Sequence, residues 1–178
     1  MLTKFDIEEY FIAEKQAGLI FLSLGIIAII TSVVFIFFFK SNFSRGAAIP
    51  LIVFGILQCI VGYTVHTRSD NDRIKVVYAY DMNPTEIKTK ELPRMEKVNK
   101  SFKIIKWVEI AFIIIGVILI FKFKNNYTIE DSWKGNAFIL GIAIALTIQA
   151  AILLCTDYFA ESRALKYTTS LKEYVIKN

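Results

Sequence analysis

One histidine, His66, is the chain's whole supply of imidazole. That excludes zinc sites built on two or three histidines and haem held between paired histidines. The sequence contains no Walker loop, no dinucleotide-binding glycine pattern, no G-x-S-x-G elbow and no H-E-x-x-H helix. Cysteine is just as scarce. Cys59 and Cys155 both fall inside apolar runs, which points to buried, inert thiols rather than a disulfide framework. From these absences no catalytic set, metal or cofactor is expected. A cleaved signal is not expected either: the first apolar run is too long for an h-region, is preceded by Asp6, Glu8 and Glu9, and has no small-residue cleavage site after it.

What the chain has instead is long stretches without charge. Its 178 residues are 55% hydrophobic, with a mean hydropathy of +0.51. The excess over an ordinary soluble domain is concentrated in blocks. Ala17–Phe39 runs 23 residues without a charge, Gly46–Val65 runs 20, and Gly135–Thr156 runs 22. A hydrocarbon core of roughly 30 Å is crossed by about 20 residues of helix, so each block is long enough. A fourth run, 104–121, carries Lys106 and Glu109 and is free of charge only over Ile110–Phe121. It spans if its charged first turn lies among headgroups, with Lys106 snorkelling and Trp107 at the interface. The expected fold is an all-α, integral membrane four-helix bundle of two transmembrane hairpins, with spans 17–39, 46–66, 104–121 and 135–156 in one domain, 1–178.

Charge orients the bundle. Residues 1–16, 67–106 and 157–178 hold 16 of the 21 Lys and Arg residues, and the two opposite loops hold five. Basic residues flanking spans stay in the cytoplasm, so both termini are expected inside. The net charge of +5 is then topogenic, and 13 acidic residues share the same segments. No basic run is interleaved with exposed aromatics, and nucleic acid is not an expected partner. The lipid bilayer is one, with some affinity for anionic headgroups. The Lys-, Ile- and Asn-rich composition suggests a bacterial inner membrane.

Residues 3–16 read as an amphipathic helix with Phe5, Tyr10, Phe11 and Ile12 in the interface. The outer loop at 40–45 is short. From His66 to Tyr80 there is no Gly or Pro, so the second helix is expected to run on to Asn83–Pro84, where the residue before proline disfavours helix. The helical extensions cover 67–103, with Pro93 kinking or dividing the return stretch, and 157–175. Each half has an outer triplet (Asn42-Phe43-Ser44, Asn126-Tyr127-Thr128), a glutamine in its second span (Gln58, Gln149) and an arginine followed by a tyrosine (Arg73 and Tyr78, Arg163 and Tyr167). An internal repeat is one reading of that pattern, and chance is the other.

Two side-chain patterns stand out. Glu14, His66, Glu109 and Asp157 fall at a common inner boundary, and Asp70 and Glu161 lie one turn beyond two of them on the same faces. Together they read either as a cation or proton site or, more plainly, as interfacial charges paired with Lys15, Arg68, Arg73, Lys106 and Arg163. The second pattern is a stripe of Gly55, Gln58, Gly62, His66, Asp70 and Arg73, matched by Gly141, Ala145, Gln149, Thr156 and Arg163, with Gly18, Gly25 and Ser32 recurring every seven residues on the first span. Small residues let membrane helices approach and a lone amide bonds across the contact, so this is a packing stripe or, in an oligomer, a pore-lining one. The leading expectation for function is a non-enzymatic interaction protein binding another protein or its own copies, with an immunity or defence-system subunit as the specific case. A small oligomeric channel or transporter is the alternative, followed by a membrane enzyme or ion-binding protein that uses the polar layer.

Overall fold

Thr3 opens the first helix by a reciprocal cap. The Asp6 amide donates to Thr3 Oγ1 at 3.2 Å, and the Thr3 amide donates to Asp6 Oδ2 at 2.8 Å, which satisfies two end donors at once. Helix α1 then runs Lys4–Phe39, α2 Asn42–Met82, α3 Pro84–Phe123 and α4 Asn136–Lys177. The computed structural model describes residues 2–124 and 135–177. Among these there is no strand, and all four helices are long and apolar enough to cross a membrane. The Asn126-Tyr127-Thr128 triplet and most of the second outer loop lie outside the described residues.

Local chemistry sets the helix ends. The expected loop at 40–45 shrinks to Lys40 and Ser41. Lys40 sits at a left-handed φ of 49°, and Ser41 Oγ accepts the Ser44 amide at 3.1 Å, so α2 begins at Asn42. At the far end of α2 the helix stops at Met82, as the Asn83–Pro84 pair predicts, and Pro84 supplies the first residue of α3. Pro93 does not divide α3. Instead a wider π-helical turn, Ile87–Glu91, precedes it, at the point where proline removes the amide that the Thr89 carbonyl would otherwise accept.

The chain forms two compact units. The first gathers Met1–Ile20, Val61–Ile105 and Thr156–Asn178; the second gathers Phe21–Ile60 and Lys106–Cys155. The first unit has its own apolar core. Leu2, Ile7, Tyr10 and Phe11 from α1 meet Val76 and Ala79 from α2, Ile87 and Met95 from α3, and Ala164, Tyr167 and Leu171 from α4. Tyr10 and Phe11 are therefore not interfacial, which corrects the sequence expectation. The three other extensions cover that face of α1, leaving only Phe5 and Ile12 of the expected set exposed.

The second unit is held by close backbone approach. A methyl on Gly25 would lie 2.7 Å from the Gly55 carbonyl oxygen and 2.8 Å from the Cys59 amide nitrogen, so α1 and α2 touch there only because glycine has no side chain. Gly141 of α4 approaches the Phe43 carbonyl and the Ala47 amide of α2 in the same way. Phe54 and Phe112 pack edge to face with centroids 5.6 Å apart. Gln149 Nε2 donates to Gln58 Oε1 at 2.7 Å, and both side chains are buried.

Candidate functional site

The first unit holds most of the chain's ionisable groups, and two of its carboxylates, Glu91 and Glu161, are buried. Its centre is Glu91, the last residue of the π-helical turn in α3. One turn on, Arg94 grips that carboxylate with two bonds, Nε to Oε2 at 2.8 Å and Nη2 to Oε1 at 2.7 Å. The Glu91 side chain is 6% exposed and that of Arg94 29%. Two parallel N–H bonds onto one carboxylate are the strongest pairing a side chain offers. Burial pulls the guanidinium towards losing its proton, but the bonds to Glu91 more than reverse this, and Arg94 holds its proton more tightly than a free arginine.

Aromatic rings close over the pair. The Arg94 guanidinium lies 5.4 Å from the Phe11 ring centre, within cation–π range. Tyr10 stacks on Tyr167 with centroids 4.3 Å apart and planes 10° from parallel. Burial raises the pKa of both phenols, and the Glu14 charge adds to the effect at Tyr10 as the Glu91 charge does at Tyr167. The Tyr167 hydroxyl is buried and faces the Glu91 carboxylate, whose charge and hydrogen bonding both hold its proton on. This cluster was not singled out from the sequence. Its only signal there is a Glu-x-x-Arg step beside a proline, in a segment crowded with Lys and Glu.

Five of the six residues expected as a polar layer belong to this unit. Glu14 Oε1 accepts from Arg68 at 3.4 Å and Glu14 Oε2 from the Ser69 hydroxyl at 3.2 Å. Asp70 pairs with Lys15 and, at 3.7 Å, with Arg73. The bond from Lys15, with the charges of Lys15 and Arg73 behind it, holds the Asp70 carboxyl below its ordinary pKa. His66 Nδ1 lies 3.3 Å from the Lys15 carbonyl oxygen. Asp157 is half-buried and Glu161 buried, and both are engaged. Glu109 belongs to the second unit, where its side chain is buried and engaged.

The stripe residues divide in the same way. Gly55, Gln58 and Gln149 pack within the second unit, while Gly62, Arg73 and Arg163 lie in the first. Gly62 is buried there, and its carbonyl sits 3.0 Å from where a Gly18 methyl would be.

Two shallow clefts open in the first unit, one of them lined by Glu91 and Arg94. One, of about 240 Å³, has a floor of Val76, Ala79 and Ile87 with Asp72, Lys75 and Lys90 at its edge. The other, of about 90 Å³, opens beside Tyr10 and Tyr167 between Asp6, Glu9 and Lys166. Both are smaller than the usual pocket for a drug-sized ligand. Among the described residues no three His, Cys, Asp or Glu side chains are grouped to hold a metal ion. The chemistry this arrangement supports is neutralisation of carboxylates, by a cation of the same helix at Glu91–Arg94 and by cations of a neighbouring helix at Glu14–Arg68 and Asp70–Lys15, and the latter fasten helices together. Comparison with family models, with curated proteins and with solved structures returned no match, so these residues carry the functional reading alone.

Proposed function

We propose that the chain is a multi-pass protein of a bacterial inner membrane, with both ends in the cytoplasm, that acts by binding another protein. An immunity or defence-system subunit is the specific form of this reading. One observation carries it: three carboxylates of the first unit, Glu14, Asp70 and Glu91, are each taken by a cation of the same unit. Glu14 is taken by Arg68 and Ser69, Asp70 by Lys15 and Arg73, and Glu91 by Arg94. Groups so engaged hold a shape rather than wait for a substrate, and a unit with a fixed shape and its own core serves as a docking body.

The distribution of basic residues, 16 of 21 in residues 1–16, 67–106 and 157–178, supports placing the first unit on the cytoplasmic side. Ile74, Tyr78 and Met82 supply an apolar stripe on α2 of that unit, exposed at 62%, 65% and 70%. At 1.5 Å per residue this stripe starts about 12 Å past His66, beyond the reach of lipid chains, where an exposed apolar face marks a protein contact. In the second unit, the bond between Gln58 and Gln149 favours packing over a polar passage.

The test is affinity purification from mild detergent through a C-terminal tag, with native mass spectrometry of what accompanies the chain. A stoichiometric second protein that is lost on Tyr78→Glu supports the reading. A chain that purifies alone or as a homo-oligomer, unchanged by Tyr78→Glu, contradicts it and shifts weight to the channel.

A further inference from the structure

The extension of α3 differs from the other three in its charge. In α1, α2 and α4 at least one cation near the span faces an acid: Lys15 meets Asp70, Arg68 meets Glu14, Arg73 meets Asp70, and Lys166 lies 4.0 Å from Glu9. In α3, Lys97, Lys100 and Lys103 are exposed and have no acidic partner among the described residues. Glu96, the nearest acid, is taken by Lys172 at 3.0 Å, and no acidic residue follows before Ile105.

Helix geometry gathers the three lysines. Steps of three residues turn by about 300°, so successive lysines drift by about 60° and share one arc. Lys97 and Lys100 lie on the side away from Met95, which is buried in the core, while Lys103 closes the arc one turn after Asn99, which donates to Thr168 at 2.8 Å; all three lysines are exposed. Ile104 and Ile105 follow at once and are exposed, at 58% and 42%. With the span beginning at residue 104, Lys103 lies at the boundary and Lys97 about 9 Å below it, within the Debye length of about 8 Å plus the reach of a lysine side chain.

We infer that Lys97, Lys100 and Lys103 form a binding strip for the phosphate-bearing headgroups of anionic phospholipids. Each ammonium meets a phosphate oxygen, and the acyl chains lie along Ile104 and Ile105. The inference rests on reading α3 as a membrane span. Its energetic basis is the attraction of each lysine to an anionic leaflet, several-fold in affinity per residue.

The full chain, purified in mild detergent, is given equal amounts of phosphatidylglycerol and phosphatidylcholine with matched acyl chains, and retained lipid is counted by native mass spectrometry. Phosphatidylglycerol is expected to remain bound in preference to phosphatidylcholine. The triple variant K97Q/K100Q/K103Q is expected to lose about tenfold or more of that retention. The variant K97R/K100R/K103R and the control K88Q/K177Q are expected to keep it. Equal retention of both lipids by the unaltered chain, unchanged retention in the glutamine triple, or an equal loss in K88Q/K177Q overturns the strip. Free glycerol 3-phosphate binding as tightly as the lipid also overturns it. Carbonate extraction separates the two levels. A chain that leaves the membrane defeats the membrane reading itself, whereas a chain that stays with an unresponsive glutamine triple defeats this inference alone.

Discussion

Gln149 Nε2 donates to Gln58 Oε1 at 2.7 Å, yet the Gln58 Nε2 group, equally buried, donates to nothing. The pair is thus lopsided. Removing Gln149 leaves Gln58 with neither bond, while removing Gln58 also removes the one orphaned donor. Gln149→Leu is expected to destabilise more than Gln58→Leu, by about 1–3 kcal/mol for the stranded amide. The double variant is expected to be milder than Gln149→Leu alone. Thermal unfolding of the three variants in one detergent checks this, and equal single effects that add in the double would contradict it.

The Gly25 and Gly141 contacts give a steric prediction. A methyl on Gly141 would meet the Phe43 carbonyl and the Ala47 amide, which are backbone and cannot rotate aside. Gly141→Ala and Gly25→Ala are each expected to cost about 1–3 kcal/mol, as over-packing does elsewhere. Ile27→Ala, on an exposed face of α1, is expected to cost less than either. The same melting series reads all three.

Glu91 and Arg94 are worth more together than singly. Arg94→Met leaves Glu91 charged at 6% exposure, with the loss expected near about 3 kcal/mol. That is the low end for a broken buried pair, because the guanidinium is partly exposed. Combining Glu91→Gln with Arg94→Met is expected to recover part of it. Amide exchange in Met95–Asn99 of α3 is the readout, and a double variant as unprotected as Arg94→Met would count against the pairing.

Acid should loosen the first unit through two aspartates. Thr3 bonding lowers the pKa of Asp6, and the Lys15 bond lowers that of Asp70, from an ordinary value of 3.8. A depressed carboxyl contributes stability that is present above the unfolded value and lost as pH falls through the folded one. Exchange protection of α2 residues 70–80 is therefore expected to hold from neutral pH down to about pH 4 and to fall below it. Asp70→Asn should start lower and show a shallower fall. A fall centred well above that pH would point to a different group.

Much of this fold was legible because lipid imposes a harsh rule. Three charge-free runs, and a fourth with Lys106 and Glu109 at its edge, announce four long helices, and Pro84 announces where α2 must end. The extensions were harder to place. Tyr10 and Phe11 make an amphipathic face that either a membrane interface or a protein core can cover, and periodicity in one helix does not choose between them. Only α2, α3 and α4 supply the choice, through Val76, Ile87, Met95 and Tyr167. Glu91 and Arg94 were hidden for a related reason. In a segment rich in Lys and Glu, a Glu-x-x-Arg step looks like a solvated face until neighbouring helices bury it. The Gln58 and Gln149 pairing was visible as two lone amides, though not which atom of which amide goes unbonded.

Topology is the most direct test of the central proposal, that residues 1–16, 67–103 and 157–177 stand on the cytoplasmic side of a membrane. In a background with Cys59→Ala and Cys155→Ala, single cysteines are placed by Ser41→Cys, Ser101→Cys and Thr169→Cys and exposed to a membrane-impermeant thiol reagent. Ser41→Cys is expected to label in intact cells, and the other two only after the membrane is opened. Labelling of Ser101→Cys or Thr169→Cys in intact cells would contradict the claim and, with it, the cytoplasmic docking body.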